Sequence, residues 1–197
     1  MNHYQKAQFL LSVAQLHQLP PDQGIEVAIV GRSNAGKSSV LNLLTNNKSL
    51  ARVSKTPGRT QHINLFGLDA NRRLADLPGY GYAEVPLAMK LKWQETLAEY
   101  LQTRDCLRGL ILVMDIRHPL KEFDQHMLEW SSGCNLPVHI LLNKADKLTS
   151  SALRKTEREV AKGIEPYENE ISFQIFSAMK GIGAKELRDI LNKWYEY

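Results

Sequence analysis

Hydrophobic and polar residues follow two different periods along the chain. Several short segments are apolar throughout, which is typical of strands buried on both faces of a sheet. One segment, QHINLFGL, mixes polar with apolar residues, which predicts an edge strand. The predicted strands are 25–31, 61–68, 72–77, 109–115, 137–143 and 171–177.

Segments with a helical period lie between these strands. Phe123, Met127 and Trp130 recur at i, i+4 and i+7, and a similar stripe runs from Leu187 to Trp194. Both spacings give one apolar face per helix. Alternating strands and helices predict an α/β fold in three layers, with helices on both faces of a mostly parallel sheet. Ligands of such sheets bind at the carboxyl ends of the strands.

The first 24 residues are predicted to form an extension that packs on a single domain, residues 25–197. Phe9, Val13 and Leu16 fit a short amphipathic helix, for which contact with a membrane or partner is the alternative to packing on the domain. The segment lacks the basic start, long apolar core and cleavage site of a signal peptide, so we expect a cytoplasmic protein.

The composition changes this picture little. The 197 residues suit one domain, and 43% hydrophobic with 23% charged residues is ordinary for a globular protein. The net charge of +4 permits a nucleic-acid partner without requiring one. Cys106 and Cys134 have no metal-binding spacing, so two reduced thiols are expected.

A glycine-rich loop carries the first chemical signal. The segment GRSNAGKS matches the phosphate-loop pattern GxxxxGK[ST] between a predicted strand and a helix-like segment, the context that the pattern requires. Its backbone N–H groups and the helix N-terminus should bind phosphates, Lys37 should reach the β- and γ-phosphates, and Ser38 should ligate Mg²⁺. The predicted loop comprises Gly31, Arg32, Ser33, Asn34, Ala35, Gly36, Lys37 and Ser38.

Two later strand ends predict the base. The Asp146 carboxylate of LLNKAD can accept hydrogen bonds from both the N1–H and the exocyclic amine of guanine, whereas adenine would leave it partly unpaired. Asn143 either contacts guanine O6 or N7 or braces neighbouring loops. The predicted base-binding residues are Asn143, Lys144, Ala145, Asp146, Phe176, Ser177 and Ala178.

Two segments could sense the γ-phosphate. Asp76 ends a predicted strand and should hold Mg²⁺, through water, and the Gly79 N–H should bond the γ-phosphate. A basic, mobile loop is predicted upstream, and Thr56 or Thr60 within it should complete the Mg²⁺ shell. Thr60 is preferred because it abuts the following strand.

Taken in chain order, GRSNAGKS, Thr60, DLPG, NKAD and SA resemble the translation-factor-related class of small GTPases. More narrowly, KTPGRTQHINLF and LADLPGYGYAEVP are similar to segments of the bacterial EngB (YihA/YsxC) family. The resemblance implies a P-loop GTPase domain with a six-stranded, mostly parallel sheet and one antiparallel edge strand. It also implies nucleotide contacts at Gly58, Arg59, Thr60, Gln61, His62, Asp76, Leu77, Pro78 and Gly79.

The resemblance further implies GTP or GDP with Mg²⁺ as ligands, with Ser38 and Thr60 on the metal. It implies the large ribosomal subunit, with its rRNA and ribosomal proteins, as partner, and a role in its assembly, with normal cell division and septation depending on it. No membrane or DNA partner is expected, and the protein should be a monomer.

Position 80 raises a question about hydrolysis. Many such enzymes place glutamine directly after the DxxG glycine to orient the attacking water, but this chain has Tyr80. Catalysis is therefore assigned to Lys37, Thr60 and Gly79, with a group supplied by a partner or a K⁺ ion held in part by Asn34. The alternative for Asn34 is that it only caps the loop.

A different class of function is also open. On this alternative the protein is a GTP-gated RNA- or protein-binding module whose hydrolysis is incidental. Basic residues near the mobile segments could then contact phosphates of the partner; they are Lys90, Lys92, Arg104 and Arg108.

Overall fold

The computed structural model describes residues 3–48, 50, 62–80, 86–167 and 170–197. In this part of the chain the strands are β1 (Gln8–Val13), β2 (Ile25–Gly31), β3 (Ile63–Gly67), β4 (Arg72–Asp76), β5 (Leu107–Asp115), β6 (Val138–Asn143) and β7 (Ile171–Ile175). The α-helices are α1 (Lys37–Thr45), α2 (Leu87–Thr103), α3 (Glu122–Gly133), α4 (Ser150–Ile164) and α5 (Ala184–Tyr195).

The strands form one sheet in the order β1-β3-β4-β2-β5-β6-β7. The strands from β4 to β7 in this order are parallel, whereas β3 pairs antiparallel with both β4 and β1. The predicted α/β class, with a mostly parallel sheet and an antiparallel edge, is confirmed. The count of six strands is wrong, because β1 adds a seventh outside β3. The segment predicted to be the edge strand is therefore second from the edge.

The predicted helix through Phe9, Val13 and Leu16 is also wrong. Residues Gln8–Val13 form strand β1, and Leu16–Gln18 form a separate turn of 3₁₀-helix. A six-residue segment with apolar residues both two and four apart fits either period. Pairing decides the outcome, since β1 satisfies the outer backbone groups of β3, from Gln8 opposite Gly67 to Val13 opposite Ile63.

Alternate residues of the central strands point into two separate cores. Val27 and Ile29 of β2 pack with α1 and α5, whereas Ala28 and Val30 pack with α2, α3 and α4. Burial on both faces explains why the central strands are mostly apolar. The predicted helical stripes are confirmed, because Met127 on α3 and Leu187 and Leu191 on α5 are buried.

Cys106 and Cys134 are free thiols, and burial raises the pKa of the Cys106 thiol to about 11. Within the described ranges, no helix combines the length and apolar character that crossing a bilayer needs.

Candidate functional site

The predicted motifs meet at the carboxyl edge of the sheet. The phosphate loop follows β2, Asp76 is the last residue of β4, and Asn143 is the last residue of β6. Phe176, Ser177 and Ala178 follow β7. Since β2, β4, β6 and β7 are parallel, their ends lie at one edge, and residues from four distant segments come together there.

The phosphate loop needs glycine where other elements approach its backbone. Gly36 has a φ of 102° and caps α1, and a Cβ atom there would lie 2.3 Å from Asn143 Nδ2. A Cβ atom on Gly31 would lie 2.4 Å from the carbonyl oxygen of Val113. The two glycines therefore allow this close approach, and the loop leads directly into the N-terminus of α1, where a phosphate site is expected.

Lys37 and Asp76 are in direct contact at the mouth of this loop. The Lys37 ammonium donates a hydrogen bond to Asp76 Oδ1, and both side chains are largely buried. Ser38 follows Lys37 in the first turn of α1. A hydroxyl and a carboxylate are hard oxygen donors, which suit Mg²⁺, an ion that takes few protein ligands and keeps phosphate oxygens and water. These residues therefore fit a Mg²⁺–triphosphate.

Asn143 joins the phosphate loop to the loop that follows β7, residues 176–178. Its side-chain Nδ2 donates to the Ala35 carbonyl oxygen at 2.8 Å, and its Oδ1 accepts from the Ala178 N–H at 3.1 Å. The residue is 2% exposed. Of the two roles that the sequence left open, bracing of neighbouring loops is the one that these contacts favour.

The Asp146 side chain is held in place by Ser177. The Ser177 hydroxyl donates to Asp146 Oδ1 at 2.6 Å, while Oδ2 lies 3.5 Å from the Lys147 ammonium. The hydrogen bond from Ser177 lowers the pKa of the Asp146 carboxyl, so the ionised form that accepts hydrogen bonds is favoured. The Ala145 N–H donates to the Phe176 carbonyl oxygen at 3.0 Å. This bond connects the loop after β6 to the loop after β7, which together form the predicted base-binding loops.

The sequence analysis missed Asp115, the last residue of β5. Its Oδ2 accepts from Lys144 Nζ at 2.9 Å, and Lys144 also donates to the Asn34 carbonyl oxygen. Burial opposes ionisation of Asp115, but hydrogen bonds from Arg117 and Lys144 outweigh it and hold the pKa well below its usual range. A charged residue at the end of an apolar strand beside β6 was the available signal.

The Tyr80 side chain is buried against α3. It is 2% exposed, and its ring packs in the core beside α2 and α3, stacked on Phe123 at 4.5 Å between ring centres. Its hydroxyl donates to the buried Asp124 carboxylate on α3. This side chain serves packing and a buried hydrogen bond, and it cannot replace the glutamine.

Part of the predicted site lies outside the described residues, namely Gly58, Arg59, Thr60 and Gln61, together with the alternative Thr56. His62 is described; its Nδ1 lies 3.3 Å from Ser12 Oγ of the edge strand. One of the proposed partner-binding cations is unavailable, because Arg104 is 7% exposed and paired with Glu26. The roles predicted for the site residues stay predictions.

The sequence matches, over residues 26–144, the family described as 50S ribosome-binding GTPase. It is 55% identical over 194 residues to the probable GTP-binding protein EngB of Hamiltonella defensa. That alignment covers 98% of this chain and 95% of the Hamiltonella protein. The corresponding protein of Mannheimia succiniciproducens is 54% identical and covers 98% of this chain and 94% of its own.

A crystal structure of a probable GTP-binding protein EngB superposes with a TM-score of 0.70 at 20% identity, over 87% of this chain and 98% of that one. This likeness supports the fold, and the sequence matches establish the family. The phosphate loop, the Lys37–Asp76 contact and the braced base loops are the features expected of a guanine-nucleotide site. The chain belongs to the EngB family of GTP-binding proteins, with the fold of a P-loop GTPase.

Proposed function

We propose that this protein is a nucleotide-dependent switch in assembly of the large (50S) ribosomal subunit, on which normal cell division and septation depend. It binds GTP or GDP with Mg²⁺, hydrolyses GTP slowly on its own and acts in the cytoplasm as a monomer. The ribosomal part is supported by the description of the matching family as 50S ribosome-binding GTPase. The nucleotide part is supported by the convergence of four motifs at one edge of the sheet.

The observation that best supports a nucleotide-dependent switch is the contact between Lys37 and Asp76. Lys37 is the first residue of α1 at the phosphate loop, and Asp76 is the last residue of β4, three residues before Gly79. A γ-phosphate and its Mg²⁺ offer both residues new partners, so binding of GTP exchanges this contact for contacts to the ligand. The segment after Asp76 is thereby sensitive to which nucleotide is bound.

Binding to isolated large subunits tests the ribosomal part. We expect the full chain to co-sediment with large subunits in the presence of Mg²⁺ and a non-hydrolysable GTP analogue, and much less with GDP. Small subunits serve as the control. Equal binding with both nucleotides, or equal binding to both subunits, would contradict a nucleotide-dependent switch on the large subunit.

The rate of hydrolysis is proposed to depend on a partner or on K⁺, because the Tyr80 side chain is buried and its hydroxyl is bound to Asp124. Asn34 is the candidate ligand for K⁺, since its side chain is exposed on that loop. Its φ of 65° is a conformation that asparagine and glycine tolerate, so local shaping of the loop is the competing role.

Asn34→Gly separates these two roles, because glycine keeps the backbone conformation and removes the side-chain oxygen. If Asn34 holds K⁺, the variant loses stimulation by K⁺ over Na⁺ while keeping its affinity for GDP. Stimulation equal to that of the wild type in single-turnover assays would rule out the K⁺ role. Asn46→Gly is the matched control, since Asn46 has a φ of 52° at the far end of α1.

A further inference from the structure

The backbone of Tyr80 is bound to the start of the phosphate loop. Its N–H donates to the Gly31 carbonyl oxygen at 3.3 Å, and its carbonyl oxygen accepts from the Ser33 N–H at 2.7 Å. Tyr80 and Arg32 thereby form a parallel bridge that continues the pairing of β4 with β2. Because Gly79 is one peptide bond away, the placement of Tyr80 fixes Gly79 relative to the loop.

The side chain of Tyr80 is held just as closely on the other side. Its hydroxyl donates to Asp124 Oδ1, and Asp124 Oδ2 accepts from the Lys121 N–H at 2.9 Å. Asp124 is fully buried in the first turn of α3. One carboxylate therefore satisfies the start of α3 and the tyrosine hydroxyl together, so a shift of Tyr80 would leave a buried acceptor short of a donor.

We propose that Tyr80 is a positioning residue for the γ-phosphate site, and that its bond to Asp124 is what holds Gly79 in place. A phenylalanine packed on an apolar residue would fill the same space without burying a carboxylate. Unlike an apolar contact, the hydrogen bond between Tyr80 and Asp124 depends on geometry. It therefore restricts the position of the ring and of the backbone attached to it.

This role would be specific for GTP. The Gly79 N–H is predicted to contact the γ-phosphate, which GDP lacks. The rest of the nucleotide is predicted to contact residues that Asn143 and Ser177 hold in place. Loosening Tyr80 should therefore slow hydrolysis and weaken the binding of GTP more than the binding of GDP. The inference rests on GTP binding and hydrolysis by this protein and is independent of which partner it binds.

The chain supplies a matched control for the hydrogen bond itself. Tyr100 is fully buried, and its hydroxyl donates to Glu26 Oε1 at 2.6 Å, again a tyrosine on a buried carboxylate. This pair lies at the amino end of β2, at the opposite edge of the sheet from the phosphate loop. Tyr80→Phe and Tyr100→Phe therefore remove the same chemical group at the two edges.

The experiment compares the two variants with the wild type, as full chains, with Mg²⁺. Dissociation constants for GDP and for a non-hydrolysable GTP analogue, single-turnover GTP hydrolysis and thermal unfolding are measured for each. For Tyr80→Phe we expect the preference for the GTP analogue over GDP to fall about tenfold and hydrolysis to slow to a similar degree, since small misplacements cost one to two orders of magnitude. For Tyr100→Phe we expect a lower melting temperature with the preference unchanged.

Asp124→Ala is the second variant, in case Tyr80→Phe unfolds, because alanine leaves the Tyr80 hydroxyl without its acceptor. It should lower the same preference, and combining it with Tyr80→Phe should add little, because the two residues act through one bond. An unchanged preference and rate in folded Tyr80→Phe, or an equal change in Tyr100→Phe, would overturn the inference alone. Failure of the wild type to bind and hydrolyse GTP would overturn the proposed function and this inference with it.

Discussion

At the amino end of β2, Glu26 accepts hydrogen bonds from Tyr100, Arg73 and Arg104, the last through two of its nitrogens. A carboxylate has roughly four acceptor positions, so its capacity is used. At the carboxyl edge, Asp146 accepts from Ser177 and lies near the exposed Lys147, which leaves capacity for a ligand.

Both edges hold carboxylates with little exposure, but the partners differ in kind. The charged partners of Glu26 are arginines. Their planar guanidinium groups are fixed by further bonds, such as the one from Arg104 Nη1 to the Pro20 carbonyl oxygen at 2.9 Å. Asp76 is paired with Lys37, whose single ammonium group can turn to a phosphate. A saturated network stabilises a fold, and an unsaturated one can exchange partners with a ligand.

The largest expected effect comes from the amino end. Glu26→Gln removes the negative charge from between Arg73 and Arg104, so we expect the free energy of unfolding to fall by about 3 kcal/mol, as for other broken buried ion pairs. The affinity for GDP should stay at the wild-type value. Urea unfolding and nucleotide titration measure the two quantities separately.

The control is Glu170→Gln, because the Glu170–Lys193 pair has a similar distance, 3.1 Å, but is 63–68% exposed. Its loss should cost no more than about 1 kcal/mol. Weaker GDP binding in Glu26→Gln would contradict the separation of the two edges.

A change at the carboxyl edge should weaken nucleotide binding and leave stability unchanged, the opposite of the change at Glu26. Asp146→Asn removes the charged acceptor predicted for guanine, so the affinity for GTP should fall about 10- to 100-fold, the cost of losing hydrogen bonds to a charged group. Weak binding of ATP and the melting temperature should not change. Titrations with both nucleotides test this, with Asp189→Asn on α5 as a surface control. An intact preference for guanine would show the base assignment to be wrong.

The smallest effect is expected from removing the hydrogen bond that Ser177 donates to Asp146. Since that bond lowers the pKa of Asp146, the ionised form persists to lower pH in the wild type. Ser177→Ala should raise this pKa, so the loss of GTP affinity on acidification should begin at a higher pH. Affinity measured as a function of pH gives the shift.

Ser131→Ala provides the comparison, because Ser131 makes a buried bond within α3, to the Met127 carbonyl oxygen. Its pH profile should match the wild type. Identical profiles for Ser177→Ala and the wild type would contradict the predicted role of Asp146.

The local sequence pattern was enough to predict the structure where one segment contains both a strand and a motif. Strand β2 has the predicted bounds, 25–31, because all its residues except Glu26 are apolar and it ends at the glycine of the phosphate loop. Strand β1 was mistaken for a helix, since its conformation depends on the free edge of β3, which lies 50 residues later in the chain.

The pairs within the site were harder to predict. Tyr80 and Asp124 are 44 residues apart, and Asp115 and Lys144 are 29 apart. Nothing in either segment specifies its partner, because each contact depends on how helices and strands pack. The motifs predicted which residues gather at the carboxyl edge, and tertiary packing decides which of them are paired.

The most direct test of the account is single-turnover GTP hydrolysis by the full chain in K⁺ and in Na⁺, each with and without large ribosomal subunits. With Tyr80 buried, the account predicts a slow rate alone and strong acceleration by large subunits, for which external activators of related enzymes set an upper range of about 10⁵-fold. The same slow rate under all four conditions would contradict it and favour a GTP-gated binding module whose hydrolysis is incidental.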